Sequence, residues 1–190
     1  GLGDVYKRQE SLILDSHRET ELARLKEVFE SPSLQMASFT ITEKGYSLVN
    51  GKGELLPVVS ADFVNGPSRC ESYIGKVASL LYYRYLHDKL PIAMVSMDNC
   101  SHNGDKVKNA VHAYAAKWVE QGLVPAEFLA YVQDETKITF PWSMIDKITP
   151  RPDAKVQQML ADDGFEDNYT IVTEKHTFTA PFVNAEETQY

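Results

Sequence analysis

The sequence predicts an α/β fold, in which helices cover a parallel sheet. Segments with strand patterns and helix patterns alternate along the 190 residues, as expected for parallel strands joined by helices. The run IAMVSM at 92–97 is apolar over the length of a strand, which is typical of a strand buried on both faces. The next run, 105–118, repeats apolar residues at intervals of three and four, so a helix follows that strand at once.

The chain opens with a predicted helix and strand. Leu22, Leu25 and Phe29 fall on one helical face, and the Ser-Pro-Ser at 31–33 ends that helix. A strand is predicted through MASFTIT at 36–42, where apolar and hydroxyl residues alternate.

A turn and a long helix separate this strand from the apolar one. NGKGELL at 50–56 is rich in turn-forming residues. Asn-Gly-Pro at 65–67 is predicted to open a helix with an apolar face, formed by Ile74, Val77, Ala78, Leu81 and Tyr85. The last predicted elements are a short helix near 125–133, a strand at 137–140, a helix near 153–162 and a strand at 170–178.

Composition narrows the function. The net charge of -8 argues against nucleic-acid and membrane partners, because both bind basic surfaces. No apolar run is long enough to span a membrane and no secretory signal is recognisable, so we predict a cytoplasmic protein that acts on a small molecule. Cys70 and Cys100 lack metal-site spacing, and His102 and His112 have no third ligand nearby, so we predict no metal.

Polar residues crowd one junction, SMDNCSHNG at 96–104. Asp98, Asn99, Ser101, His102 and Asn103 follow directly after the apolar strand. In open α/β sheets, ligands bind at the carboxyl ends of the strands. Aspartate and asparagine also cap helices and form turns, so each residue has a structural alternative, and Asn103 or Asp105 could cap the next helix.

Three stretches, in the same order, resemble the long-chain polyol dehydrogenases, the family of mannitol dehydrogenase and the fructuronate and tagaturonate reductases. They are SFTITEKGY at 38–46, VSMDNCSHNG at 95–104 and FPWSMIDKITPRP at 140–152. The resemblance implies an NAD(P)-dependent oxidoreductase that needs no metal. Such an enzyme moves a hydride between the nicotinamide and a secondary alcohol or ketone of an open-chain polyol or hexuronate, such as mannitol, mannonate or altronate.

The resemblance also implies a domain organisation. Residues 10–150 are expected to form part of a Rossmann-type nucleotide-binding domain, and 151–190 the beginning of a mainly helical substrate domain. GLGDVYKRQ at 1–9 resembles translated adapter sequence and is expected not to be native.

Two features of the family have no match here. No Gly-rich turn between a strand and a helix precedes residue 38, and no lysine has an asparagine five residues further on, as the family's general base does. We therefore expect an internal part of a dehydrogenase that does not turn over alone.

The family's catalytic residues suggest two candidates. The asparagine of the family's Asp-Asn pair corresponds to Asn99, which is implied to hydrogen-bond the reacting oxygen. A side-chain amide at a strand end can stabilise developing alkoxide charge. Glu43 matches an acidic position implied to pass protons, which a buried glutamate with a raised pKa could do.

Further candidates lie in the third stretch. Asp146 and Lys147 are implied to bind substrate, and Thr42, Ile145 and Asp146 to contact the cofactor. Isoleucine and lysine stand at 145 and 147 where the family has valine and arginine, and lysine lacks the bidentate geometry of arginine.

Two other functions are compatible with these residues. One is a non-catalytic module that binds sugars or sugar acids and lacks the general base. The other is an unrelated α/β hydrolase or metal enzyme that uses Asp98, His102 and Asp146. The choice between polyol and hexuronate, and between NAD and NADP, stays open.

Overall fold

The chain divides into two units, Gly1–Asp146 and Lys147–Tyr190. The computed structural model describes residues 10–15, 17–145, 154–164, 171–172, 174 and 178–179. The predicted domain boundary at 150 stays a prediction.

Helices and strands alternate through the first unit. They are α1 (Glu19–Glu30), β1 (Met36–Phe39), a 3-10 helix (Glu43–Tyr46), α2 (Pro57–Asn65), α3 (Tyr73–Leu86), β2 (Ile92–Ser96), α4 (Asn103–Glu120), α5 (Ala126–Gln133) and β3 (Ile138–Thr139).

The three strands form one parallel sheet in the order β1-β2-β3. Met36 pairs with Ala93, and Ile92 pairs with Ile138, so β2 is the central strand. Ile92 and Met94 are buried, as the apolar run predicted. This arrangement confirms the predicted α/β class.

The core lies between the sheet and helices α3, α4 and α5. Its largest fully buried apolar side chains include Trp118, Tyr114, Phe128, Ile74 and Leu81. The apolar faces predicted for α3 and α4 are therefore confirmed.

Helix α2 was not predicted, and α3 begins later than expected. Proline at the first position of α2 is a common helix start, and Gly66 ends that helix with φ 74°. Helix α3 begins at Tyr73, where the Ser72 hydroxyl accepts the Gly75 N–H at 3.0 Å. The Asn-Gly-Pro at 65–67 thus joins two helices, so the prediction that it opens α3 was wrong.

The second unit contains a helix and a small antiparallel pair. Helix α6 (Ala154–Asp162) confirms the helix predicted near 153–162. Strand β4 (Ile171–Val172) pairs with β5 (Phe178–Thr179). The single strand predicted across 170–178 is therefore two short strands.

Within the part of the chain that the structure describes, every helix is too short or too polar to cross a membrane.

Candidate functional site

Three loops meet at one edge of the sheet. They follow β1, β2 and β3 and run through residues 40–46, 97–102 and 140–145. Because the strands are parallel, their carboxyl ends lie at this shared edge, where open α/β sheets bind ligands.

Asp98 joins the loop after β2 to the loop after β1. Its side chain is only 6% exposed. Oδ2 accepts the backbone N–H of Ile41 at 2.9 Å, and Oδ1 accepts that of Thr42 at 2.9 Å. The Tyr46 hydroxyl also donates to Oδ2.

These donors decide the charge of Asp98. Burial alone raises the pKa of a carboxyl group, but the bonds from Tyr46, Ile41 and Thr42 outweigh it and hold the pKa of Asp98 below its usual range. Burial and the neighbouring carboxylate raise the pKa of Tyr46. Its hydroxyl, which also lies 2.6 Å from Ser96 Oγ, therefore stays protonated and can donate.

Asn103 joins the loop after β2 to the segment after β3. Its side chain is buried. Nδ2 donates to the carbonyl oxygens of Asp98 at 3.1 Å and Ser143 at 3.0 Å, and to Ser143 Oγ at 2.8 Å. Oδ1 accepts the backbone N–H of Ser143 at 3.0 Å. The three strand ends are thus cross-linked through the buried side chains of Asp98 and Asn103.

The polar junction therefore contains residues of two kinds. Asp98 and Asn103 are buried and hold the loops together, whereas Asn99, Ser101 and His102 are exposed. Asn99 directly follows Asp98 and is exposed just beyond the carboxyl end of β2.

The start of α4 differs from the prediction. His102, not Asn103 or Asp105, occupies the N-cap position, with a left-handed backbone at φ 51°. Asn103 is instead the first helical residue, because its side chain is engaged across the sheet edge. The His102 ring packs against Trp142 with ring centroids 4.3 Å apart, and Trp142 is 62% exposed.

Glu43 lies in solvent rather than in a buried pocket. Its side chain is 69% exposed and forms an ion pair with Lys106. Glu43 is therefore not the buried glutamate that the proton-transfer role was expected to use. Glu43 and Lys106 border an open cavity of about 330 Å³, lined also by Tyr46, Ser47, Leu48, Asn109 and Ala110.

The cofactor and substrate candidates are only partly described. Thr42 is exposed, and its backbone N–H is held by Asp98. Ile145 is exposed at the end of the described segment. Asp146 and Lys147 lie outside the described residues.

The hydrolase or metal-enzyme alternative finds no support in this geometry. The Asp98 carboxylate is buried and committed to three donors, so it is not free to act as a nucleophile or base. Among the described residues, no three His, Cys, Asp or Glu side chains are grouped to hold a metal ion.

Three residues of the edge were not singled out from the sequence. Tyr46, Ser96 and Ser143 complete the hydrogen-bond network around Asp98 and Asn103. Each belongs to or borders one of the three quoted stretches, and polar residues next to strand ends were the available signal.

Comparisons with known proteins match most of the chain. The family profile described as the mannitol dehydrogenase Rossmann domain matches residues 8–186. D-mannonate oxidoreductase of Thermotoga maritima is 44% identical over 99% of this chain and 35% of its own length. The polyol:NADP oxidoreductase of Gluconobacter oxydans is 30% identical over 75% of this chain and 28% of its own length.

A solved structure agrees with these matches. Mannitol 2-dehydrogenase of Pseudomonas fluorescens, in a ternary complex with NAD and D-mannitol, aligns with a TM-score of 0.53 and 29% identity. The alignment covers 76% of this chain and 28% of that one. The chain thus spans about a third of the length of the relatives that it matches.

Proposed function

Because the chain belongs to the mannitol dehydrogenase family, we propose that it forms part of an NAD-dependent oxidoreductase that acts on an open-chain sugar alcohol or sugar acid. The reaction moves a hydride between the nicotinamide and a secondary alcohol or ketone. The fold is of the Rossmann type, whose strand ends bind dinucleotides.

One observation supports this proposal over the alternative functions. The similarity to a D-mannonate oxidoreductase extends over 99% of the chain at 44% identity. That similarity favours a sugar acid of the mannonate type over mannitol. NAD is proposed because the P. fluorescens relative was solved with it. The G. oxydans relative is named for NADP, so both cofactors enter the test.

The sheet edge fits a dinucleotide and an alcohol in its chemistry. Thr42 and Asn99 present exposed polar side chains at the carboxyl ends of adjacent parallel strands. NAD, when bound, accepts or returns the hydride. The chain's own residues bind, orient and stabilise charge around it.

Asn99 is assigned to the reacting oxygen. Its amide can donate a hydrogen bond to an oxygen that gains negative charge as its proton leaves, which stabilises the alkoxide-like state. Its exposure next to the buried Asp98 supports this role, since a rigid neighbour fixes its backbone.

The remaining candidates are assigned supporting roles. Thr42, Ile145 and Asp146 would contact the cofactor, and Asp146 and Lys147 would orient substrate hydroxyls or a carboxylate. Glu43 would pass protons only through solvent, since it is exposed and paired with Lys106.

The activity can be tested in the framework of the T. maritima relative. We would replace the matched third of that enzyme with this chain and measure oxidation of D-mannonate and of D-mannitol, each with NAD and with NADP. We expect NAD-dependent oxidation of D-mannonate. Asn99→Ala should lower kcat by about 10²-fold or more, as loss of an oxyanion donor does.

Asn65→Ala is the matched control, because Asn65 is an exposed asparagine at the end of α2 and should leave kcat within about twofold, as surface changes do. A folded chimera that oxidises neither substrate would disprove the proposal. If it bound D-mannonate without turnover, the non-catalytic binding module would replace it.

A further inference from the structure

The backbone of Thr42 adopts a conformation that residues with side chains avoid. Its φ is 64° and its ψ is 160°, a region populated almost only by glycine. Such a conformation persists only where the surrounding structure enforces it. Thr42 lies directly after the strand segment, at the edge where the site is built.

The enforcing contacts converge on one carboxylate. The successive N–H groups of Ile41 and Thr42 donate to the two oxygens of Asp98, each at 2.9 Å. These bonds turn the chain out of β1, so the strand predicted to reach residue 42 ends at Phe39. The carbonyl of Thr42 accepts the Gly45 N–H at 3.0 Å, which starts the 3-10 helix.

That helix closes the loop on the same carboxylate. It ends at Tyr46, which is buried and donates its hydroxyl to Asp98. The loop after β1 is thus tied to Asp98 at both of its ends, through Ile41 and Thr42 at the start and Tyr46 at the finish.

Asp98 is itself fixed just beyond the end of the central strand. Its carbonyl oxygen accepts from Asn103 Nδ2 at 3.1 Å and from the Cys100 N–H at 2.9 Å. The next residue, Asn99, therefore lies between two anchored positions. The side chain of Asp98 sets the position of Thr42, while its backbone sets that of Asn99.

We propose that Asp98 and Tyr46 are positioning residues of this site, which hold the strained loop at Thr42 at a fixed distance from Asn99. This role rests on the proposed function, because it assumes that a ligand binds between these loops. Neither side chain touches the reacting atoms. Both act through Thr42 and Asn99.

The first test measures the loop itself in the purified 190-residue chain. Amide hydrogen exchange at Ile41 and Thr42 is compared between the native chain, Asp98→Asn and Tyr46→Phe. The asparagine has one acceptor oxygen where the carboxylate has two, so at least one amide loses its partner. We expect about tenfold faster exchange at Ile41 or Thr42, as for loss of one bond to a charged group, with Val95 on β2 unchanged.

Matched controls separate this effect from general damage. Asp88→Asn changes an exposed turn aspartate, and Tyr73→Phe changes an exposed tyrosine at the start of α3. Both should leave exchange at Ile41 and Thr42 unchanged. Unchanged exchange in Asp98→Asn and in Tyr46→Phe overturns the proposal, whatever the ligand data show.

The second test measures whether the position of the loop after β1 affects ligand binding. NMR titration with NAD and with D-mannonate gives Kd for the native chain, D98N, T42G and the double variant. Glycine adopts φ 64° without strain, so D98N should weaken binding about tenfold in the native background and less than about twofold in the T42G background. A purely structural role would give the same loss in both.

The outcomes separate the two proposals. Faster loop exchange with unchanged Kd in D98N overturns the positioning role and leaves the proposed function standing. If the native chain binds neither NAD nor D-mannonate, the positioning role fails for this chain, whereas the proposed function is decided separately by turnover of the chimera. The exchange data then report on the loop alone.

Discussion

Asn103 holds Ser143 through three hydrogen bonds that involve all the polar groups of the serine. Nδ2 donates to the Ser143 carbonyl oxygen at 3.0 Å and to its hydroxyl oxygen at 2.8 Å, and Oδ1 accepts the Ser143 N–H at 3.0 Å. Ser143 lies beyond β3, and Asn103 begins the helix after β2. The segment that leads to Ile145, Asp146 and Lys147 is therefore anchored by one buried amide.

Replacing Asn103 with alanine should destabilise the first unit. The change removes the Asn103 partners of the Ser143 N–H and of the Ser143 carbonyl oxygen, and each buried unsatisfied group costs about 1–3 kcal/mol. We expect the free energy of unfolding to fall by about 2–4 kcal/mol in urea titrations. Asn109→Ala, on the exposed side of the same helix, should change it by less than about 0.5 kcal/mol. Equal effects of the two substitutions would contradict the anchoring role.

Alanine at Gly104 should also destabilise the protein, although glycine to alanine usually stabilises a helix. A Cβ at Gly104 would lie 2.3 Å from the Phe140 carbonyl oxygen and 2.7 Å from that of Pro141. The two backbones would have to separate, which outweighs the gain of about 1 kcal/mol in helix propensity. Thermal unfolding is the measurement, with a lower Tm expected for Gly104→Ala. Gly51→Ala, where the new Cβ meets nothing within 4 Å, is the control that should leave Tm nearly unchanged.

The sequence predicted the elements whose patterns are local. The apolar run of β2 and the three-and-four spacing of α4 depend only on neighbouring residues, and both were confirmed. The end of β1 was misplaced because it depends on the hydrogen bond from Thr42 to Asp98, which lies 56 residues further along the chain. Helix α2 was missed because its nine residues PVVSADFVN have no clear polar face.

The candidate site was predictable to the level of a loop but not of a residue. The junction at 96–104 was identified as polar and placed at a strand end. Which of its residues turn inward depends on partners from β1 and from beyond β3, so Asp98 and Asn103 could not be separated from Asn99 by spacing. The assigned roles of Asn99, Glu43, Thr42, Ile145, Asp146 and Lys147 stay predictions.

Arg84 provides a further test, because its environment was not predicted from the sequence. It is fully buried, and its guanidinium donates to five backbone carbonyl oxygens, those of Phe29, Ser31, Leu34, Leu90 and Pro91. Lysine has three donors and no planar fork, so Arg84→Lys should remove at least two of these five hydrogen bonds.

We expect Arg84→Lys to lower the free energy of unfolding by about 2 kcal/mol or more. Urea denaturation measures the change. Arg69→Lys, at an exposed arginine, should have almost no effect. A loss below about 0.5 kcal/mol for Arg84→Lys would show that the carbonyls find other donors.

His112 should make stability fall in mild acid. Its Nε2 lies 3.0 Å from the Val132 carbonyl oxygen. Burial, more than the nearby Lys108, lowers the pKa of His112 below its ordinary value, although the bond to Val132 opposes the shift. The unfolded chain therefore takes up the proton first. The stabilising contribution is complete above the unfolded pKa of about 6.5 and is lost as pH falls through the lower folded pKa.

The measurement is the free energy of unfolding at about pH 7 and about pH 5, the range in which an ordinary histidine titrates. Glutamine at 112 can still donate to the Val132 carbonyl oxygen but does not titrate. His112→Gln should therefore reduce the loss of unfolding free energy between the two pH values. His87→Gln, at an exposed histidine, should leave that loss as it is in the native chain. If His112→Gln and the native chain lose equal stability over this range, the acid sensitivity belongs to other groups.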